Sequence, residues 1–283
     1  VKNQYGNFLK LFAVAALLVS FSLDGTNFSD SEPFIRNQNP NATSFIIYGG
    51  FSCRGTESIY LLREANETDL YKIALERIRN RYDMNNVNLL VACFSNMNQV
   101  RYFHQTGEQT SAVRSVRASQ FEAHVAAPLI NNSKKHVYMV GSSLGSWSAL
   151  RTLDFVTESA ERDLFVVTID PVDRDYCKPP KFLANRAVNA TNFYLGTSIP
   201  VLAGCKSFMN DHLQKIVSAN HKKTTQWLNF YEDQSWTVTG PKFPEAHQNI
   251  YVAFEELDIE YGHRNIDVSD AVWTHLDKAW FSH

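Results

Sequence analysis

The chain has 283 residues, of which 44% are hydrophobic and 20% charged, and its formal net charge is -2. These values belong to a folded globular protein of one large domain or two small ones. A near-neutral balance without a basic stripe excludes a nucleic-acid binder. The aromatic content of 13% suits an apolar pocket.

The first stretch stands apart from the rest. Lys2 and Lys10 precede an apolar run from Leu11 to Leu23. A basic segment followed by a short apolar one is the pattern of a secretory signal. Residues 1–23 are therefore expected to be a signal peptide, or a signal anchor if they stay uncut. The run is short beside the roughly 20 residues that a membrane span needs. Residues 24–283 are then the mature part, read as a single domain in a secreted or periplasmic protein. Membrane contact would come only through an uncleaved N-terminal segment or a lipid substrate. Five Asn-x-Ser/Thr sequons begin at Asn27, Asn41, Asn66, Asn131 and Asn189. About three are expected by chance in a chain so rich in asparagine, so they decide nothing by themselves.

From residue 24 to 43 the chain is polar. Ser44 to Tyr48 is an apolar run of strand length, ended by Gly49-Gly50-Phe51. Glu67 to Tyr82 places Leu70, Ile73, Ala74 and Ile78 at helical spacing. Val87 to Phe94 is the next strand. Residues 95–110 are polar and read as a loop, and Val113 to Ala127 reads as a second helix. Val137 to Val140 is a buried strand. It runs into Gly141-Ser142-Ser143-Leu144-Gly145 and then a helix expected to reach about Ala160.

Leu164 to Ile169 is an unbroken apolar strand closed by Asp170-Pro171. Runs that do not alternate suggest strands covered on both faces. Residues 171–223 carry mixed signals, with a helix candidate from Met209 to Val217, and read as an insertion or cap. Trp227 to Tyr231 and Asn249 to Phe254 are the last strands, and Asp270 to Trp280 closes the chain as a helix. The alternation of strands and helices predicts an α/β fold, a mostly parallel central sheet with helices on both faces.

The segment 141–145 fits G-x-S-x-G between a strand and a helix, the context in which a serine is lifted out at the C-terminal edge of a sheet. Ser143 is the candidate nucleophile. Such a hydroxyl needs a base, and the base needs an acid to orient it. Of the nine histidines, His263 alone lies on a loop after the last strand, downstream of both serine and acid. His247 and His136 precede their strands and fall at the wrong end of the sheet, and His275 lies in the terminal helix. His212 lies in the insertion. Asp170 is the favoured acid, because it directly follows a buried strand, and Asp233 is the alternative. The oxyanion donors are the backbone N–H of Leu144 and that of Phe51, with Gly50 as alternative to Phe51.

The cysteines Cys53, Cys93, Cys177 and Cys205 contain no C-x-x-C pair, which argues against zinc. An even number in an exported chain favours disulfides. Cys53 and Cys93 follow neighbouring strands, and Cys177 and Cys205 share the insertion, so the pairs Cys53–Cys93 and Cys177–Cys205 are expected.

With these residues in place, the chain resembles the α/β-hydrolase superfamily over residues 44–283, in the order Ser, Asp, His. Phe45 to Phe51, Gly141 to Gly145 and Thr168-Ile169-Asp170-Pro171 are similar to three blocks of lipase-type members. In pancreatic-type lipases the acid stands in an Asp-Pro after the nucleophile's helix, as at Asp170. In minimal bacterial lipases it lies one strand later, as at Asp233. Tyr48 and Ser142 stand where such enzymes often carry histidine. The resemblance implies an exported serine hydrolase of carboxylic esters, acting on a small-molecule or lipid ester without metal or organic cofactor. The alternatives are a thioesterase or peptidase using the same residues, and a non-catalytic binding protein.

Overall fold

The computed structural model describes residues 38–50, 70–96, 98–107, 109–171, 214–232, 242–253 and 266–280. They are an α/β fold built on a mostly parallel central sheet. Strand β1, Thr43–Gly49, is buried from Ser44 onward. It has a parallel partner on each side: β2, Val87–Asn96, and β6, Val137–Ser142. A strand flanked on both edges and covered on both faces has no polar side to show, so its sequence runs apolar rather than alternating.

Beyond β6 lie β7, Leu164–Ile169, then β8, Gln226–Tyr231, and β9, Gln248–Tyr251, each parallel to its neighbour. Beyond β2 the sheet turns antiparallel. Strand β3, Gln99–Thr106, pairs with β2 and with two short strands, β4, Gln109–Thr110, and β5, Arg114–Arg117. Across the nine strands of the described residues the order is β4-β3-β2-β1-β6-β7-β8-β9, with β5 also on β3.

Side chains alternate between two packed layers. Phe45, Ile47, Leu89, Val91, Val140 and Ile169 face one way. They share a core with helix α1, Leu70–Arg81, and with the terminal helix Asp270–Trp280. Tyr48 faces the other way and meets Phe121 edge to face at 5.6 Å. Phe121 belongs to α2, which runs as Ala118–Phe121, a π-turn Glu122–Ala126 and Ala127–Asn132. Beside it lies α3, Leu144–Thr152, in which every residue except Arg151 is buried. Asp270–Trp280, taken here as α4, has the bounds that its spacing of Val272, Leu276 and Trp280 predicts.

Three expectations are corrected. Residues 95–110 hold β3 and β4 rather than a loop. Within β3, Val100, Tyr102 and Phe103 are buried while Arg101 and the residues from His104 onward are not, so a strand covered only at its middle reads as polar. The stretch from Val113 begins as β5, because the backbone of 114–117 pairs with β3, and helix starts only at Ala118, whose N–H donates to Asn98 O at 2.8 Å. Helix α3 stops at Thr152 in a 3-10 turn, Leu153–Phe155, instead of reaching Ala160. There Asn131 takes over: its Nδ2 donates to Phe155 O and its Oδ1 accepts from Thr157 N, which draws the chain off the helix axis. In the insertion, residues 214–220 are helical. Residues 172–213 of it lie outside the described residues.

Candidate functional site

The C-terminal ends of β1, β6 and β7 meet at Ser143. Gly141 ends the straight part of β6, and an added Cβ there would lie 2.6 Å from Gly145 O and from Ser146 N. At Gly145 it would lie 2.3 Å from Tyr48 O and 2.8 Å from Gly49 O. Only glycine lets α3 pass this close to its own strand and to β1. The close passage forces a sharp turn, and the turn falls on Ser143, with φ 54° and ψ -122°. Holding a side chain there costs about 1–3 kcal/mol, and such strain persists only where the surroundings impose it.

The surroundings do so through six hydrogen bonds. Ser143 N donates to Ile169 O at 2.9 Å, which ties the turn to β7. Ser146 Oγ accepts from Ile169 N at 2.9 Å and lies 2.6 Å from Gly141 O, which locks the first turn of α3. Ser142 Oγ donates to Asp267 Oδ2 at 2.8 Å, which fixes the residue before the turn. Thr152 donates to Ser148 O, so its oxygen accepts from the Tyr48 hydroxyl at 2.6 Å and pins the far end of α3 to β1. Burial pushes the Tyr48 phenol far above its ordinary range, opposed by the Thr152 bond and reinforced by the charge of Glu122. It is a neutral structural donor.

Leu144 is the first residue of α3, where N–H groups have no acceptor within the helix. Gly50 comes against the turn from β1. An added Cβ on it would lie 3.0 Å from Ser143 Cβ and 3.6 Å from Ser143 Oγ. The backbone of Gly50 thus forms one wall beside the serine, and its carbonyl is turned away to accept from Phe94 N at 3.2 Å.

Asp170 follows β7 in the register that puts Ser143 after β6, since Ser142 pairs with Ile169. It is fully buried, has φ 46°, and its N–H donates to Phe230 O at 2.8 Å. Among the described residues, Ser143 and Asp170 are the two non-glycine residues with positive φ, and they sit side by side. Two further carboxylates reach this edge that the sequence did not single out. Glu232 follows β8 and is fully buried. Asp267 lies in a 3-10 turn, Ile266–Val268, and holds Ser142. Glu232 had a signal, since it closes an apolar strand; Asp267 had none, because its partner is 125 residues away.

His263, Asp233 and Phe51, together with Cys53, Cys177 and Cys205, lie outside the described residues. Cys93 is buried and bonded in a disulfide whose partner lies among those three, so it offers no thiolate. His136 and His247 lie at the N-terminal ends of the strands. His136 pairs with Asp163, and His247 Nδ1 accepts from Trp227 N at 3.0 Å.

No family model matches the chain, and no curated protein does. Among solved structures it is similar to a secreted C11 cysteine protease from Bacteroides thetaiotaomicron, "iotapain", at 8% identity with a TM-score of 0.28. The match covers 47% of this chain and 46% of the protease, less than half the length of either. That protease is not an α/β-hydrolase. The expected membership of the α/β-hydrolase superfamily is corrected accordingly, and with it the lipase-like and ester-cleaving identity that rested on the resemblance. A likeness this slight assigns no activity to this chain.

Proposed function

We propose that the chain is a hydrolase of acyl bonds, in a peptide amide or an acyl thioester, with Ser143 as its nucleophile. The observation that carries this reading is the strained backbone of Ser143 at the mouth of the sheet, held by buried partners and walled by the Gly50 backbone. Strain of this size has no structural use at an ordinary strand-to-helix turn, where glycine or a relaxed serine would serve. The serine oxygen attacks the acyl carbonyl. The N–H of Leu144, with that of Phe51 or Gly50, holds the developing oxyanion. His263 takes the serine proton and gives it to the leaving group, and Asp170 orients the imidazole, with Asp233 as the alternative acid. Water then releases the acyl group by the same steps in reverse order.

Two features support this allocation. Asp170 is buried and fixed one strand away from Ser143. Asp267, hydrogen-bonded to Ser142, is four positions after His263. Four residues span at most about 14 Å, so the length of chain between them leaves room for a base at 263 to face the serine. Export belongs to the same proposal. The disulfide of Cys93 is at home in an oxidising compartment, secreted or periplasmic. Residues 171–223, following the strand that ends beside Asp170, are proposed as the cap over the site.

Labelling with a fluorophosphonate probe tests the reading, because the probe reports an activated serine whatever the substrate class. Wild type should label, Ser143→Ala should not, and Asp170→Asn should label at least about a hundred-fold more slowly. Hydrolysis of peptide amide and acyl thioester panels then names the bond. A folded wild-type protein that stays unlabelled beside a labelled control hydrolase would sink the proposal.

A further inference from the structure

Two of the five sequons lie wholly within the described residues, and the fold treats them in opposite ways. Asn131-Asn132-Ser133 ends α2. There the Asn131 side chain is fully engaged. Its Nδ2 donates to Phe155 O at 3.1 Å, and its Oδ1 accepts from Thr157 N at 2.9 Å and from Thr157 Oγ1 at 3.1 Å. Ser133 is buried at 4% exposure. A sugar on that nitrogen would crowd the contacts that end α3.

Asn41-Ala42-Thr43 is the reverse case. Asn41 is exposed at a turn. The turn is held by groups other than the Asn41 side chain: Asn41 N donates to Asn39 Oδ1 at 3.0 Å, and Ala42 N donates to Asn39 O at 3.1 Å. Thr43 opens β1 and is half-buried, while β1 ends beside Ser143. Seven residues of strand separate the two ends by about 20 Å. A bulky group on Asn41 therefore meets solvent, leaves the turn intact and stands clear of the candidate site.

We propose that Asn41 is a site of N-linked glycosylation and that Asn131 is not. This rests on the export reading, since the donor is found only in the secretory membrane. In the transfer, the Asn41 Nδ2 attacks C1 of a lipid-diphosphate-linked oligosaccharide. The new bond is N–C1, the bond broken is C1–O to the diphosphate, and the amide proton leaves as the lipid diphosphate departs. Transfer meets the chain as it enters the compartment. The fold decides which modified asparagine is tolerated afterwards.

The test expresses the full chain behind an established secretion signal in insect cells, so that failure of its own N-terminal segment cannot mask the result. Protein recovered from the medium is digested, treated with peptide N-glycosidase in heavy-oxygen water, and mapped. The expected result is heavy-oxygen label at residue 41 and none at 131. Asn41→Gln and Thr43→Ala should each remove one oligosaccharide from the intact mass, with an unchanged melting temperature for Asn41→Gln. A secreted, folded chain bare at Asn41, or one carrying its glycan at Asn131, overturns the proposal. A parallel expression from the chain's own N-terminal segment reads export by itself: retention in the cell there counts against export and leaves the outcome at Asn41 legible.

Discussion

The two ends of the parallel strands are built to different standards. At the N-terminal end no described residue other than glycine has a positive φ, and neighbouring strand starts are tied to one another by hydrogen bonds. Asn88 is buried there, and its Nδ2 donates to Asn39 O at 2.7 Å. Ser44 N donates to His136 O, and Val137 N to Asp163 O. At the C-terminal end two adjacent residues, Ser143 and Asp170, are held at positive φ. Two carboxylates, Asp170 and Glu232, are fully buried at successive strand ends. Strain and buried charge both work against folding. Their concentration at one edge is what the proposed chemistry at Ser143 would require.

That contrast predicts that substitutions at the N-terminal end move stability alone, while those at the C-terminal end move probe labelling whether or not stability changes. The largest expected effect is at Gly145→Ala, whose Cβ would sit 2.3 Å from Tyr48 O. Backbone cannot yield as a side chain does, so the loss is about 3 kcal/mol or more, read by chemical denaturation. Asn88→Ala removes the partner of Asn39 N and one of the two donors to Asn39 O, and should cost about 2 kcal/mol. Its rate of labelling at Ser143 should be that of wild type. If that rate falls with stability, the two ends are not separable in this way.

Asp267→Ala should cost only about 1 kcal/mol. It should nonetheless slow labelling about ten-fold, since a 1.4 kcal/mol shift in the turn is worth that much. Asp267→Asn, which still accepts from Ser142, should restore most of the rate. Equal slowing in both variants would make the bond merely structural. Ser143→Gly should abolish labelling and raise stability by about 1 kcal/mol, the strain released less the extra chain entropy of glycine. A loss of stability there would mean the turn is not strained.

The smallest effect belongs to His136→Ala. The His136–Asp163 pair is about half exposed on each side, at 52% and 47%. Its removal should change stability by less than about 0.5 kcal/mol and labelling not at all.

Much of this could be read from the chain. The buried parallel strands announced themselves as largely apolar runs, because a strand covered on both faces turns neither set of side chains to water. Helix α4 was legible from its spacing, since one face packs on the core and the other meets water. The antiparallel flank was not. Its strand β3 is covered only at its middle, and the polar Arg101, His104 and Gln105 hide its pairing with β2, β4 and β5. The end of α3 was illegible for a similar reason: it is decided by Asn131, 24 residues before Phe155.

At the candidate site, the sequence by itself determined Ser143 between two glycines at a strand-to-helix turn and Asp170 at the end of a buried strand, because both follow from neighbours one to three positions away. The motif also suggested a family, and there local pattern overreached: a glycine-flanked serine reports a tight turn, and tight turns do not carry ancestry. Only the tertiary structure decided that the turn is strained, that Gly50 stands against it, and that Asp267 and Glu232 join the same edge. It likewise separated Asn41 from Asn131, two sequons identical in pattern. These are contacts between residues distant along the chain, and their energies depend on which surfaces the folded sheet brings together.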